Sequence, residues 1–181
     1  ELYSTDGTVA GTQSHGLIAG VANSLLVGSP LLTFGSQLAL LVSEQLWVSD
    51  GTGAGTVRVT GLPCDTIAQL NVLQGRLYFT AVGRQVPSGF ELWSSDGTAA
   101  GTAIVAEVGP GAENGSPNNL VVSPQGLWLR AVQGLSNATG LYLCTGPQSL
   151  QLVGSLPPGT PPLFVPFGGG VLMTLPGPQV G

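Results

Sequence analysis

Three carboxylates stand at matching places in a repeated motif. Asp6, Asp50 and Asp96 each sit in a Thr/Ser-Asp-Gly-Thr segment. One chemistry for such a segment is cation binding, the carboxylate being joined by Thr hydroxyls and backbone carbonyls. Calcium takes about six to eight oxygens, usually including several carboxylates. Each segment supplies one, so the sequence favours a structural turn. The Asp side chain can accept backbone N–H groups two residues ahead, and Gly7, Gly51 and Gly97 can adopt positive φ without steric cost. Thr8, Thr52 and Thr98 add hydroxyls, as do Thr5, Ser49 and Ser95 before each Asp. No metal ligand set and no cofactor is expected, with calcium the alternative.

Other chemistry-bearing residues are few. His15 is the single His and follows Ser14. A Ser-His-Asp constellation would need Asp6 or Asp65 to orient the ring, and no spacing brings these together. Asp65, Glu107 and Glu113 could flank a glycosidic bond, a third reading behind two non-catalytic ones. The run Gly168-Gly169-Gly170 lacks the Lys and following helix of a phosphate loop. Cys64, placed in a loop between repeats, and Cys144, at the end of a strand, are expected as free thiols. Asn114-Gly-Ser and Asn137-Ala-Thr match glycosylation sequons. The sequence reads as no enzyme, with no catalytic residue assigned.

The elements that carry these residues follow from composition. The 181 residues include four Arg, no Lys and nine acidic residues, a net charge of −5. That leaves no basic face for nucleic acid. Charged residues are 7% of the chain, against about 25% in ordinary soluble domains. A hydrophobic content of 43% can bury a core, which excludes disorder. The 29 Gly and 14 Pro disfavour long helices. Short apolar runs between Gly, Pro, Ser and Asn predict an all-β chain. The nearest candidate for a membrane span lies between Asp6 and Glu44, which holds no formally charged residue but is broken by Asn23, Ser24, Ser29, Pro30, Ser36 and Gln37, so no membrane insertion is expected.

Internal repetition organises the chain. ELYSTDGTVAGT begins at residue 1, QLWVSDGTGAGT at 45 and ELWSSDGTAAGT at 91, and a degenerate copy, GLYLCTGPQSLQLV, begins at 140. The period is about 45 residues, that of a propeller blade. In the third period, strands are predicted over 68–74, 76–82, 90–94 and 103–108. Matching first and second strands are predicted over 31–35 and 37–42, 119–123 and 127–132, and 163–167 and 171–175. Four strands per repeat predicts a β-propeller-like fold of four blades in a single domain over residues 1–181. Tyr3, Trp47, Trp93 and Tyr142 recur once per repeat, as expected of residues that bury one blade on the next. The sequence begins in a third strand and ends after a second. Two-plus-two closure of one blade is one expectation; a segment of a longer propeller or array is the other. Glu1 in place of Met fits a processed or trimmed piece.

The repeated E-L-W-x-S-D-G-T-x-x-G-T segment resembles the signature of the ELWxxDGT repeat proteins, also called hyalin-like repeats, of bacterial secreted and cell-surface proteins. The likeness is close at 1–12, 45–56 and 91–102, weak at 140–151, and spans the chain. It implies a propeller-like fold and a role as an extracellular or cell-surface structural or adhesion module in protein–protein assembly or self-assembly. The family's Lys after the turn is absent; Val57-Arg58-Val59-Thr60 and Ile104-Val105-Ala106-Glu107 stand there.

Recognition is expected on the face opposite the Asp-Gly-Thr turns, where loops vary in sequence. Arg84, Gln85, Glu113, Asn114, Asn118 and Asn119 are the contact candidates, with a carbohydrate- or ion-binding propeller as the alternative function. The scarcity of charge fits a subunit whose surface is covered in an assembly.

Overall fold

The structure is a computed structural model that describes residues 3–15, 31–84, 89–108, 115–133, 138–157 and 163–174. The described residues form sixteen strands and no helix. β1 (Tyr3–Ser4) and β2 (Gln13–Ser14) form a pair. Three four-stranded sheets follow. The first holds β3 (Leu32–Phe34), β4 (Gln37–Val42), β5 (Gln45–Ser49) and β6 (Val57–Arg58). The second holds β7 (Cys64–Leu73), β8 (Arg76–Gly83), β9 (Phe90–Ser95) and β10 (Ala103–Ala106). The third holds β11 (Asn118–Ser123), β12 (Gly126–Gln133), β13 (Ala138–Gly146) and β14 (Ser149–Leu156). β15 (Phe164–Phe167) and β16 (Gly170–Met173) close the list as a second pair. Each strand pairs antiparallel with its neighbour in sequence, so every sheet is a plain meander.

Register repeats with the motif. Leu40 faces Trp47, Phe79 faces Trp93, and Leu129 faces Tyr142. Phe79, Trp93, Leu129 and Tyr142 enter the cores between sheets, whereas Leu40 and Trp47 form a separate cluster with Val42. Leu41 and Leu46 of the first sheet meet Leu77, Phe79, Ala81 and Trp93 of the second. Tyr78 and Leu92, on the other face of the second sheet, meet Leu127, Leu129, Ala131 and Tyr142 of the third. Successive residues of β8 thus enter different cores. That is why Arg76-Leu-Tyr-Phe-Thr-Ala-Val reads as a continuous apolar run and not as an alternation. The first strands of successive sheets touch one another, β3 on β7, β7 on β11 and β11 on β15.

Four details differ from the sequence expectation. Tyr3 is 62% exposed, whereas Trp47, Trp93 and Tyr142 are buried; its sheet has two described strands where theirs have four. β1–β2 and β15–β16 stand as separate pairs and not as one four-stranded sheet. Cys64 opens a ten-residue strand and does not lie in a loop. In the fourth repeat the long turn is gone: Gly146 pairs with Ser149 and the ladder runs on to Thr139 and Leu156. Cys64 and Cys144 are both buried free thiols.

Candidate functional site

The meander puts the Asp-Gly-Thr turns at one end of each sheet and the second-to-third-strand turns and inter-sheet links at the other. At the first end, three turns are built alike. The N–H and hydroxyl of Thr8 donate to Asp6 Oδ1 at 2.9 and 2.8 Å. Thr52 does the same to Asp50 at 2.9 and 2.8 Å, and Thr98 to Asp96 at 3.0 and 2.7 Å. The Thr hydroxyl then accepts the N–H of Gly11, Gly55 or Gly101. Thr12, Thr56 and Thr102 donate back to its carbonyl. Thr5, Ser49 and Ser95 accept the N–H of Gly7, Gly51 and Gly97, whose φ values are 91°, 95° and 90°. These hydrogen bonds hold all three carboxylates below the usual carboxylate range.

One residue type in this motif has a role that the sequence did not signal. A Cβ on Gly11, Gly55 or Gly101 would overlap the Asp carboxylate of its own turn. The second glycine is therefore required by contact, not by φ. The second and third turns also sit on an earlier part of the chain. Gly97 packs on Phe34 and Val48 of the preceding sheet, and the N–H of Gly53 donates to the carbonyl of His15 at 2.8 Å.

His15 Nε2 lies 2.7 Å from Ser4 Oγ, a different serine from the one beside it in sequence. Among the described residues no orienting acid completes the set, since the hydrogen bonds of Asp6 run to Thr8 and those of Asp65 to Arg84. Among the described residues no group of three or more His, Cys, Asp or Glu could hold a metal.

The opposite end is irregular. Between the first and second four-stranded sheets lies an open cavity of about 260 Å³. Its lining comes from the β4–β5 turn (Ser43, Glu44, Gln45), from the β6–β7 link (Arg58 to Leu62), from the start of β7 and from Arg84. Ser43 and Glu44 have φ of 50° and 60°, the backbone of a two-residue hairpin turn that ordinarily takes Asn-Gly. Thr66, on the opposite wall, has φ of 54°. Arg84 grips Asp65 through two bonds of 2.7 Å, in the one ion pair among the described residues. This pair lowers the Asp65 pKa. Arg58 Nη1 donates to Gln45 Oε1 at 2.9 Å. Burial pushes the Cys64 thiol up to about 12, which leaves it unreactive in the wall.

No protein-family model matches this chain, and no curated protein does.

The remaining contact candidates divide. Gln85, Glu113 and Asn114, with Asn137, lie outside the described residues. Asn118 and Asn119 belong to β11 and not to a free loop; Asn118 donates to the Ser116 carbonyl at 2.8 Å and accepts from Arg130 at 3.4 Å. Asn118 also lines a second, smaller hollow with Gln69, Phe90 and Pro117. Of the three carboxylates that could flank a glycosidic bond, Glu113 lies outside the described residues, and no contact among the described residues joins Asp65 to Glu107. One carboxylate was missed altogether. Glu91 is 1% exposed and accepts the N–H groups of Val108 and Gly115 at 3.1 and 3.3 Å. Burial raises its pKa. Its place in the motif gives no warning, because Gln45 and Gly140 occupy it in other repeats.

Proposed function

We propose that this chain is a non-catalytic structural or adhesion module, β-propeller-like in its completed form, that works in protein–protein assembly outside the cell or at its surface. The observation that carries the reading is the distribution of apolar surface. Leu152, Val153, Leu163, Val165, Phe167 and Leu172 are all between 45% and 70% exposed, and they fall on β14 to β16 or on the link between β14 and β15. With 7% charged residues, little on the surface opposes association there. Contact between the first strands of successive sheets fits a fan with those strands innermost, as in a propeller. The ELWxxDGT likeness supports the same reading. Light scattering across a concentration series tests it. Growth above the 18.2 kDa chain mass, reversed by Val165→Ser with Phe167→Ser, is the expected result. A monomer at every concentration overturns it.

Closure is tested separately. If β16 joins β1 in the register of the other sheets, Met173 faces Tyr3 as Leu40 faces Trp47. A Tyr3→Cys, Met173→Cys variant then forms an intramolecular disulfide. If a longer array supplies the missing strands, it does not.

A further inference from the structure

The cavity between the first two four-stranded sheets has no part in an assembly surface on β14 to β16. Its lining concentrates what the rest of the chain lacks. Two of the chain's four Arg and two of its nine carboxylates, Arg58, Arg84, Glu44 and Asp65, meet there. Arg84 and Asp65 satisfy each other, but Glu44 and Arg58 have no ion pair among the described residues. The Glu44 carboxylate and the Thr60 and Thr66 hydroxyls make no hydrogen bond among the described residues, and Arg58 commits one N–H to Gln45. Open acceptors and open donors therefore face one space. Two of the residues involved, Glu44 and Thr66, are held at positive φ, a conformation that a glycine would adopt at lower cost.

We infer that this cavity binds a neutral polyhydroxylated ligand, a single sugar ring or the terminal unit of a glycan. The two carboxylates oppose an anion and the two guanidinium groups oppose a cation, so the lining is balanced. A hydroxyl both donates and accepts, which matches Glu44 beside Arg58, and such bonds to charged groups are stronger than neutral ones. At about 260 Å³ the space is smaller than the roughly 300–1,000 Å³ of drug-sized sites, so one ring fits and an oligomer does not.

The test is amide chemical-shift titration of the whole chain with glucose, galactose, mannose and N-acetylglucosamine. At least one sugar is expected to move the amides of Thr60, Gly61 and Thr66. Glu44→Gln and Arg58→Met are each expected to weaken that sugar by about tenfold or more, whereas Arg130→Met, on β12, leaves it unchanged. Thr60→Val gives a third reading should Arg58→Met disturb the fold. The inference is overturned if no sugar moves these amides, if the shifts survive Glu44→Gln and Thr60→Val, or if glycine or inorganic phosphate binds more tightly than every sugar. Assembly by light scattering is indifferent to all of these outcomes.

Discussion

The two ends of the sheets solve the same problem in opposite ways. At the turn end, Asp6, Asp50 and Asp96 sit in three nearly superimposable hydrogen-bond sets, each carboxylate met by the Thr of its own motif. At the link end, each connection is different. Ser43-Glu44 turns without Gly or Asn, Glu91 is buried to hold two backbone N–H groups, and Glu44 and Arg58 share a cavity with no ion pair among the described residues. Repetition with saturated polar groups marks what the fold needs. Irregularity with strain and open valences marks where something else can be recognised.

The sharpest way to break this contrast is at the turn end. Gly101→Ala forces a Cβ into the Asp96 carboxylate and is expected to cost about 3 kcal/mol, read by urea unfolding. Gly146→Ala, in the fourth repeat where no atom lies near the added Cβ and φ is not positive, is its control and is expected to change little.

Next in size is Glu91→Gln. The amide can serve one of the two N–H groups, so a loss of about 1–2 kcal/mol is expected at acid pH. The pH dependence has a definite sign. Burial holds the Glu91 pKa above its ordinary value of 4.5. Its contribution is full below that ordinary value and is lost as pH rises through the raised one, so the gap between wild type and Glu91→Gln narrows on going from acid to neutral. The turn carboxylates behave in the opposite sense. Their pKa values are lowered by hydrogen bonds, so their contribution is present above the ordinary range and is lost as pH falls through the lowered values. Unfolding curves of the two single variants Glu91→Gln and Asp96→Asn across pH separate the two slopes.

A smaller and opposite effect is expected at the strained turn. Ser43→Asn with Glu44→Gly supplies the residues that this backbone prefers and raises stability by about 1 kcal/mol. A loss on calorimetry would mean that the positive φ values there carry no strain. The smallest effect belongs to Arg84→Ala. Both partners of the Asp65–Arg84 pair are 53% exposed, and exposed pairs add little, so its unfolding midpoint is expected to match wild type.

The sequence made the turn end legible and the link end largely not. Asp-Gly between apolar runs and a period near 45 residues located the strands to within a few positions, because turn chemistry is local. The link end depends on residues far apart in the chain. Nothing in Glu44, Arg58 or Thr66 taken singly predicts a common cavity; the stacking of two sheets brings them together. The bulges in β7 were hidden for a related reason. Thr66 and Gln69 take positive φ of 54° and 51°, and neither is Gly or Asn, so the usual signal was missing. Ser116 and Asn119 repeat the feature in the next sheet at 42° and 54°. Gln69 explains part of it: its side chain accepts from the N–H of Leu120 at 3.4 Å and donates to the Pro117 carbonyl at 3.5 Å, clamping one inner strand to the next.

The closed hydrogen-bond set of each Asp-Gly-Thr turn bears on how such a chain can lengthen. A duplicated stretch of coding sequence that spans one period carries donor and acceptor together, so the new copy arrives with none of that turn's side-chain bonds waiting on a foreign partner. What it must find in its neighbour is mainly apolar, as when Gly97 meets Phe34 and Val48, and apolar contacts tolerate exchange among similar volumes. Copy number can therefore drift while the turn is kept letter for letter, and divergence collects at the far end of each copy, where Glu44 and Arg58 now stand.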